Sequence, residues 1–196
     1  MDTGPAITDL PPYATLAREH RLIERALDVL RRFCDDVVRT RTLDSAVAGD
    51  LLRFLREFAD VTHHLKEERI LFPAIEANGF FPGCGLESEH EVSRTRVRTM
   101  AAAVERWSAG DAEARKIFVQ QARSYLNLLR SHIAKEDDCL AKTCARTFSG
   151  PDAERLAREF DELERREIGE GAFERFAALV DALDAKVRAS AGNARP

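Results

Sequence analysis

The sequence predicts an all-α protein: an up-down-up-down four-helix bundle with two additional short C-terminal helices. Three observations predict it. Strand signals are nearly absent, with no sustained alternation of β-branched residues between hairpin turns. Apolar residues recur at helical spacing over long stretches instead. The breaks between those stretches are short, and short connections make neighbouring helices antiparallel.

Each element has its own signal. After Pro11-Pro12, a stripe of Leu16, Ile23, Leu27, Leu30 and Cys34 defines a first helix from Tyr13 to about Arg39. "RTRTLD" interrupts it, and Asp44 or Ser45 caps a second helix running to about Ala77. "ANGFFPGCG" is a glycine- and proline-rich loop. The third helix runs from about Leu86 to Trp107. "SAGD" breaks it, and Asp111 is the expected N-cap of a fourth helix that continues to about Thr147. "SGPDAER" restarts a shorter helix, Asp152 to about Ile168. Gly169 and Gly171 precede the last, Ala172 to about Ala189. The expected organisation is a flexible N-terminus at 1–12, the bundle at 13–147, a helical extension packed on it at 148–190 and a disordered tail at 191–196.

A chain of 196 residues can bury one sizeable core. Its net charge of -4, without a basic block, argues against nucleic acid or an anionic membrane surface as partner. "MDTGPAITDLPPY" has neither a basic n-region nor an apolar h-region, and no run of about 18 apolar residues exists, so the cytoplasm is the expected location. The four cysteines, Cys34, Cys84, Cys139 and Cys144, lack zinc-ribbon spacing and read as free thiols in or near the core. Depth along the bundle allows only Cys84 with Cys139 or Cys144 to pair, as an oxidant-responsive switch, and keeps Cys34 apart.

The chemistry lies in the histidines. His20 is about 21 residues before the first turn and His63 about 21 after it, so at about 1.5 Å per residue both stand about 32 Å from the same end. His90 and His132 flank the turn at Asp111 in the same way, and the middle loop brings Glu67 and His90 level. There is an internal repeat: His63 follows His20 by 43 residues and His132 follows His90 by 42, while "HLKEER" recurs loosely as "HIAKED". Each half supplies a lone histidine and then an H-x-x-x-E pair, and two such hairpins face to face make a two-metal site in a bundle core. Helical angles assign the faces. His63 shares its stripe with Leu52, Ala59, Ile70 and Ala74, so His63 and Glu67 point inward. His64 lies over Arg53, Glu57 and Asp60, so His64 and Glu68 are expected to face solvent. The candidate metal ligands are therefore His20, His63, Glu67, His90, His132 and Glu136. Buried carboxylates without partners would be costly, and a dinuclear cation site offsets that cost.

On these residues the chain resembles the hemerythrin-like family, also called HHE cation-binding domains, whose pattern is H…H-x-x-x-E…H…H-x-x-x-E on a four-helix bundle. "HHLKEERILFP" is similar to the family's second-helix motif, and "LERREIGEG" to endings common among bacterial members. The resemblance covers Tyr13 to about Gly171. Arg94 stands where the oxygen carriers have a fifth histidine, and Glu136 replaces their H-x-x-x-x-D aspartate, so the ligand set looks like the four-His, two-Glu type. "CLAKTC" replaces the usual apolar-Phe-Pro ending of the fourth helix, and the cysteine-bearing segment of iron–sulfur repair members is not seen.

The resemblance implies a non-haem diiron protein that binds or responds to dioxygen, peroxide or nitric oxide. A diiron oxidase or peroxidase-like enzyme and an iron donor in iron–sulfur cluster repair stay open as alternatives. Imidazole and carboxylate donors suit iron, and after it manganese, better than thiolate-loving metals. Two irons would each take two histidines, with Glu67 and Glu136 bridging and an oxo or hydroxo group completing the pair. Glu24, one turn after His20, reads either as a ligand or outer-sphere acceptor or as a salt bridge to a nearby arginine. Tyr125, two turns before His132, reads as core packing with a hydrogen-bonded hydroxyl or as a group reaching the pocket.

Overall fold

The computed structural model describes residues 11–80 and 85–192. Those residues are helical almost throughout and contain no strand. Helix α1 spans Pro11–Thr40. It ends at Arg41, which takes the left-handed conformation (φ 59°) usual for a helix-ending glycine and donates its N–H to Val37 O. Asp44 then caps α2, Ser45–Arg53, accepting from the N–H groups of Ala46 and Val47. The rod continues without a break to residue 77, but not as the regular helix the sequence predicts. Phe54–His64 and Glu67–Leu71 are π-helical, separated by α-helical Leu65 and Lys66, and Phe72–Ala77, α3, returns to α-geometry.

Helix α4 spans Leu86–Ser108, closed by Gly110 at φ 96°, a conformation that glycine adopts freely. The expected N-cap at Asp111 is displaced. Helix α5, Ala114–Thr147, starts three residues later, and the Asp111 carboxylate instead accepts the Glu113 N–H and pairs with Arg106, bracing the turn. Helix α6, Gly150–Glu167, starts two residues before the predicted position because Ser149 and Asp152 form a reciprocal capping box. Helix α7 is Ala172–Gly192. No helix of the described residues is long and apolar enough to cross a membrane.

The core is split in two. A larger apolar cluster takes Leu22 to Val37 of α1, Ala59 and the residues before it in the second rod, Val97 onward in α4, and α5 up to Ile133. A smaller one takes Leu16, Leu71, Phe72, Ile75, Leu86, Leu140 and Cys144. In α1, the second rod and α4 the candidate ligands lie between the two clusters, and in α5 His132 and Glu136 flank Ile133, the last α5 member of the larger one, so the core is interrupted by one polar layer. The last helices extend both halves: Phe160 of α6 joins the smaller cluster, and Phe176 of α7 packs on Phe54 and Phe58 at centroid distances of 5.9 and 5.4 Å.

Cys34 and Cys144 are buried free thiols in different clusters. Pairing of Cys84 lies outside the described residues. Burial pushes both the Cys34 and Cys144 thiols up to about 12. Since the thiolate is the reactive form, neither should be alkylated by iodoacetamide at pH 8 until the chain is denatured. Peptide mapping checks this; rapid native labelling of Cys34 would contradict the packing.

Candidate metal centre

All six expected residues meet in the polar layer, each 1% exposed or less. They form two sets. One ligand atom each from His20, His63, Glu67 and Glu136 lie within 4.8 Å of one another, and so do atoms from Glu67, His90, His132 and Glu136. The two carboxylates belong to both sets. The imidazoles pair through their inner nitrogens, His20 Nε2 to His63 Nε2 at 3.1 Å and His90 Nε2 to His132 Nε2 at 2.9 Å.

The outer nitrogens explain that orientation. His20 Nδ1 is 2.7 Å from Asp137, His63 Nδ1 2.9 Å from Glu19, His90 Nδ1 2.6 Å from Glu68, and His132 Nδ1 2.9 Å from Glu89. Each of these carboxylates is held in turn by a cation: Arg21 on Asp137, Lys66 on Glu19, Arg94 on Glu68 and Lys135 on Glu89. A carboxylate can only accept, so it draws the ring proton to Nδ1 and leaves a lone pair on Nε2. Two such lone pairs facing each other near 3 Å repel unless one ring takes a second proton or a cation stands between them. Histidine ligands of metals are anchored through the second nitrogen in this manner.

The carboxylates and cations behind the histidines escaped the sequence reading, although the sequence repeats them. Glu19-His20 recurs as Glu89-His90, 70 residues on, and His63, Lys66, Glu67 and Glu68 recur as His132, Lys135, Glu136 and Asp137, 69 residues on. The acidic residue before each lone histidine and the Lys-Glu-acid run after each paired one were the available signal. The partners are exchanged between helices, however: Glu19 serves His63, and Asp137 serves His20.

His64 and Glu68 correct the sequence reading. His64 is buried, stacked on His90 with centroids 3.9 Å apart, and Glu68 is half-buried between His90 and Arg94. The reason is the π-helix. Its i→i+5 bonding, seen where Leu65 N–H reaches Asp60 O and Phe72 N–H reaches Glu67 O, widens the turn. Neighbouring residues then differ less in direction than α-geometry allows, and angles counted at 100° per residue drift away from the true faces. Glu24 is half-exposed and pairs with Arg21 at 2.8 Å, outside the layer. Tyr125 is buried in the larger apolar cluster, where burial, and then the charge of Asp60, raise its phenol well above the ordinary range.

The two shared carboxyls are pushed in opposite directions. Burial, and next the charge of Glu136, hold Glu67 well above the usual carboxylate range. Burial works in the same sense on Glu136, but the imidazoles of His132, His20 and His90 outweigh it and hold that carboxyl well below. Burial opposes a charged His20, yet Asp137 and Glu136 raise it to about 9, while burial and then His20 push His63 well below its ordinary value. His132 Nε2 lies 2.8 Å from Glu136 Oε1 and His20 Nε2 3.3 Å from Oε2. With the ring protons drawn to Nδ1, the four carboxylate oxygens of Glu67 and Glu136 are left without a hydrogen-bond donor. Buried carboxylate oxygens without donors beside four inward imidazole nitrogens fit a cation, and imidazole with carboxylate fits iron.

Comparison with known proteins agrees with this geometry. The family described as the Hemerythrin HHE cation binding domain matches residues 12–144. An uncharacterized protein of Mycobacterium bovis is 26% identical over 164 residues, which is 81% of this chain and 63% of that protein. Uncharacterized proteins from two strains of Mycobacterium tuberculosis show the same identity and coverage. The chain thus spans less than two thirds of the length of these relatives. No solved structure matches it.

Proposed function

Because the chain belongs to the hemerythrin HHE cation-binding domain family, we propose that it is a non-haem diiron protein that binds or responds to a small oxidant or diatomic ligand: dioxygen, peroxide or nitric oxide. The four long rods would run up-down-up-down around the site. His20 and His63 would hold one iron, His90 and His132 the other, and Glu67 and Glu136 would be shared. The observation that supports this most directly is the fourfold anchoring of Nδ1 to a carboxylate, which turns every Nε2 toward the same two buried carboxylates.

When bound, two irons supply open coordination positions and electrons to a small ligand. The chain's own residues do the rest. The apolar clusters above and below keep bulk water from the layer. The anchoring carboxylates keep each ring proton at Nδ1, away from the inner face, and Arg94 holds Glu68 through two hydrogen bonds of 2.8 and 2.9 Å so that His90 cannot swing.

Elemental analysis of protein purified without chelator tests the proposal. We expect iron in excess of any other metal, with a visible absorption band in air that dithionite weakens. A colourless protein holding zinc and no iron would overturn the diiron reading. Turnover assays of the iron-loaded protein with peroxide, nitric oxide and dioxygen then separate an enzyme from a binding or sensing module.

A further inference from the structure

A cleft of about 300 Å³ opens between the second rod and α4, and the arrangement described so far makes no use of it. Leu55 and Val61 of the π-helical segment and Val97 of α4 supply its apolar walls, and Asp60, Ser93 and Arg94 its polar lining. Those polar side chains already direct their donors at the protein. Ser93 Oγ donates to the His90 carbonyl at 2.8 Å, and Arg94 donates to Asp60, Glu91 and Glu68. His64 lies behind Asp60, its Nδ1 3.5 Å from Asp60 Oδ1 but without a hydrogen bond, and its ring is stacked on His90. Two side chains, Asp60 and His64, thus stand between the cleft and the histidine layer.

The internal repeat adds an independent observation. It relates the seam between the second rod and α4 to the seam between α5 and α1. Ser93 and Val97 correspond, 70 residues back, to Ile23 and Leu27, and Asp60 corresponds, 69 residues on, to Leu129. All three counterparts are buried in the larger apolar cluster, so one seam is filled where the other is open. The π-helical backbone, a feature common at functional sites, runs along the open seam, whereas α5 is α-helical over its whole length.

Resting on the metal reading above, we infer that this cleft is the entry route for the small ligand, that it favours an apolar diatomic such as dioxygen or nitric oxide over peroxide, and that Asp60 and His64 form the gate at its inner end. A polar solute would shed its hydration against Leu55, Val61 and Val97 and find no free side-chain donor in the polar lining to replace it. The exposed Arg56 and Arg98 border the cleft and would hold an anion near the surface. The gate is free to move. Asp60 is 26% exposed, and an ion pair so open to water is weakly held. Its release leaves Arg94 on Glu68, so the anchor of His90 stays in place. His64, alone among the five histidines, has no hydrogen bond to lose when its ring turns.

Crystals of the full chain pressurised with xenon test the route without reference to activity, because xenon settles in apolar cavities. A xenon atom should lie against Leu55, Val61 and Val97. Val61→Trp fills the cleft from a position that is only half-buried. The variant should lose the xenon and keep its iron content and Mössbauer spectrum, while its diferrous form binds nitric oxide at least about tenfold more slowly in stopped-flow. Val38→Trp, at an exposed position near the far end of α1, should change none of these. Oxidation by hydrogen peroxide should proceed at the same rate in wild type and Val61→Trp. An empty cleft in wild type, or unchanged nitric oxide binding in Val61→Trp, overturns the route and leaves the diiron reading standing. Peroxide slowed by the same factor as nitric oxide overturns the choice of ligand. Wild type that takes up no iron overturns the diiron reading and the inference together. Should circular dichroism show Val61→Trp unfolded, Ser93→Ile with Val97→Leu, which copies the filled seam of the repeat, is put to the same measurements with the same outcomes.

Discussion

Glu67→Gln is expected to release most of the bound iron. Glu67 is common to both donor sets, so on the proposed diiron reading the change should weaken both metals at once. Removing even an outer-sphere partner costs metal affinity about 10–100-fold, and a shared donor should cost more than about 100-fold. A hundredfold loss of affinity removes about 2.7 kcal/mol of ligand-linked stability under iron excess. Without iron the sign differs. Burial, and then Glu136, already favour an uncharged carboxyl at this position, and a neutral amide of the same size should be tolerated. The gap in melting temperature between iron-loaded and chelator-treated protein should therefore collapse in the variant, while the chelator-treated values stay close. Full iron occupancy in Glu67→Gln would remove Glu67 from the site.

Lys66→Met should be the most destabilising single change outside the apolar core. Lys66 is 1% exposed and bridges Glu19 to Glu164 of α6. Burial alone would drive off its proton, but the charges of Glu19 and Glu164 outweigh that and raise it above the ordinary lysine value. Burial already raises the Glu19 carboxyl above its usual range, and without the ammonium Glu19 must stay buried without a counter-charge or take up a proton. Breaking a buried pair in this way costs about 3–5 kcal/mol, a fall in melting temperature on the order of 10 °C for a chain of this size. Because Glu19 orients His63, iron retention should fall as well. Adding Glu19→Gln to Lys66→Met should recover much of the stability and none of the iron retention. A double variant no more stable than Lys66→Met would show that the stranded charge is not the cause.

Much of the site was legible because bundle geometry is simple. Counting residues from glycine and capping breaks brings His20, His63, His90 and His132 to one height, and the apolar stripes say which side of α1, α4 and α5 turns inward. Periodicity also anticipated the split of the chain into four long and two short helices. The starts of α5 and α6 were misplaced by two or three residues because capping is settled by which side chain reaches which N–H. Asp111 braces a turn where it was expected to open a helix, and Ser149 opens α6 through a box that the run "SGPD" spelled out.

By itself, then, the sequence determined the helical class, the common height of the histidines and the repeat that sets two imidazole-carboxylate hairpins against each other. These depend only on rise per residue and on burial of apolar stripes, both nearly independent of context. Tertiary structure decided which way His64 points and which carboxylate holds which ring. The π-helical turns arise where packing favours i→i+5 bonding over α-geometry, and no angular count along the chain anticipates them. The anchors cross between helices, Glu19 to His63, Glu68 to His90, Glu89 to His132 and Asp137 to His20, over separations of 22 to 117 residues. Only the packed bundle brings those groups within hydrogen-bonding distance.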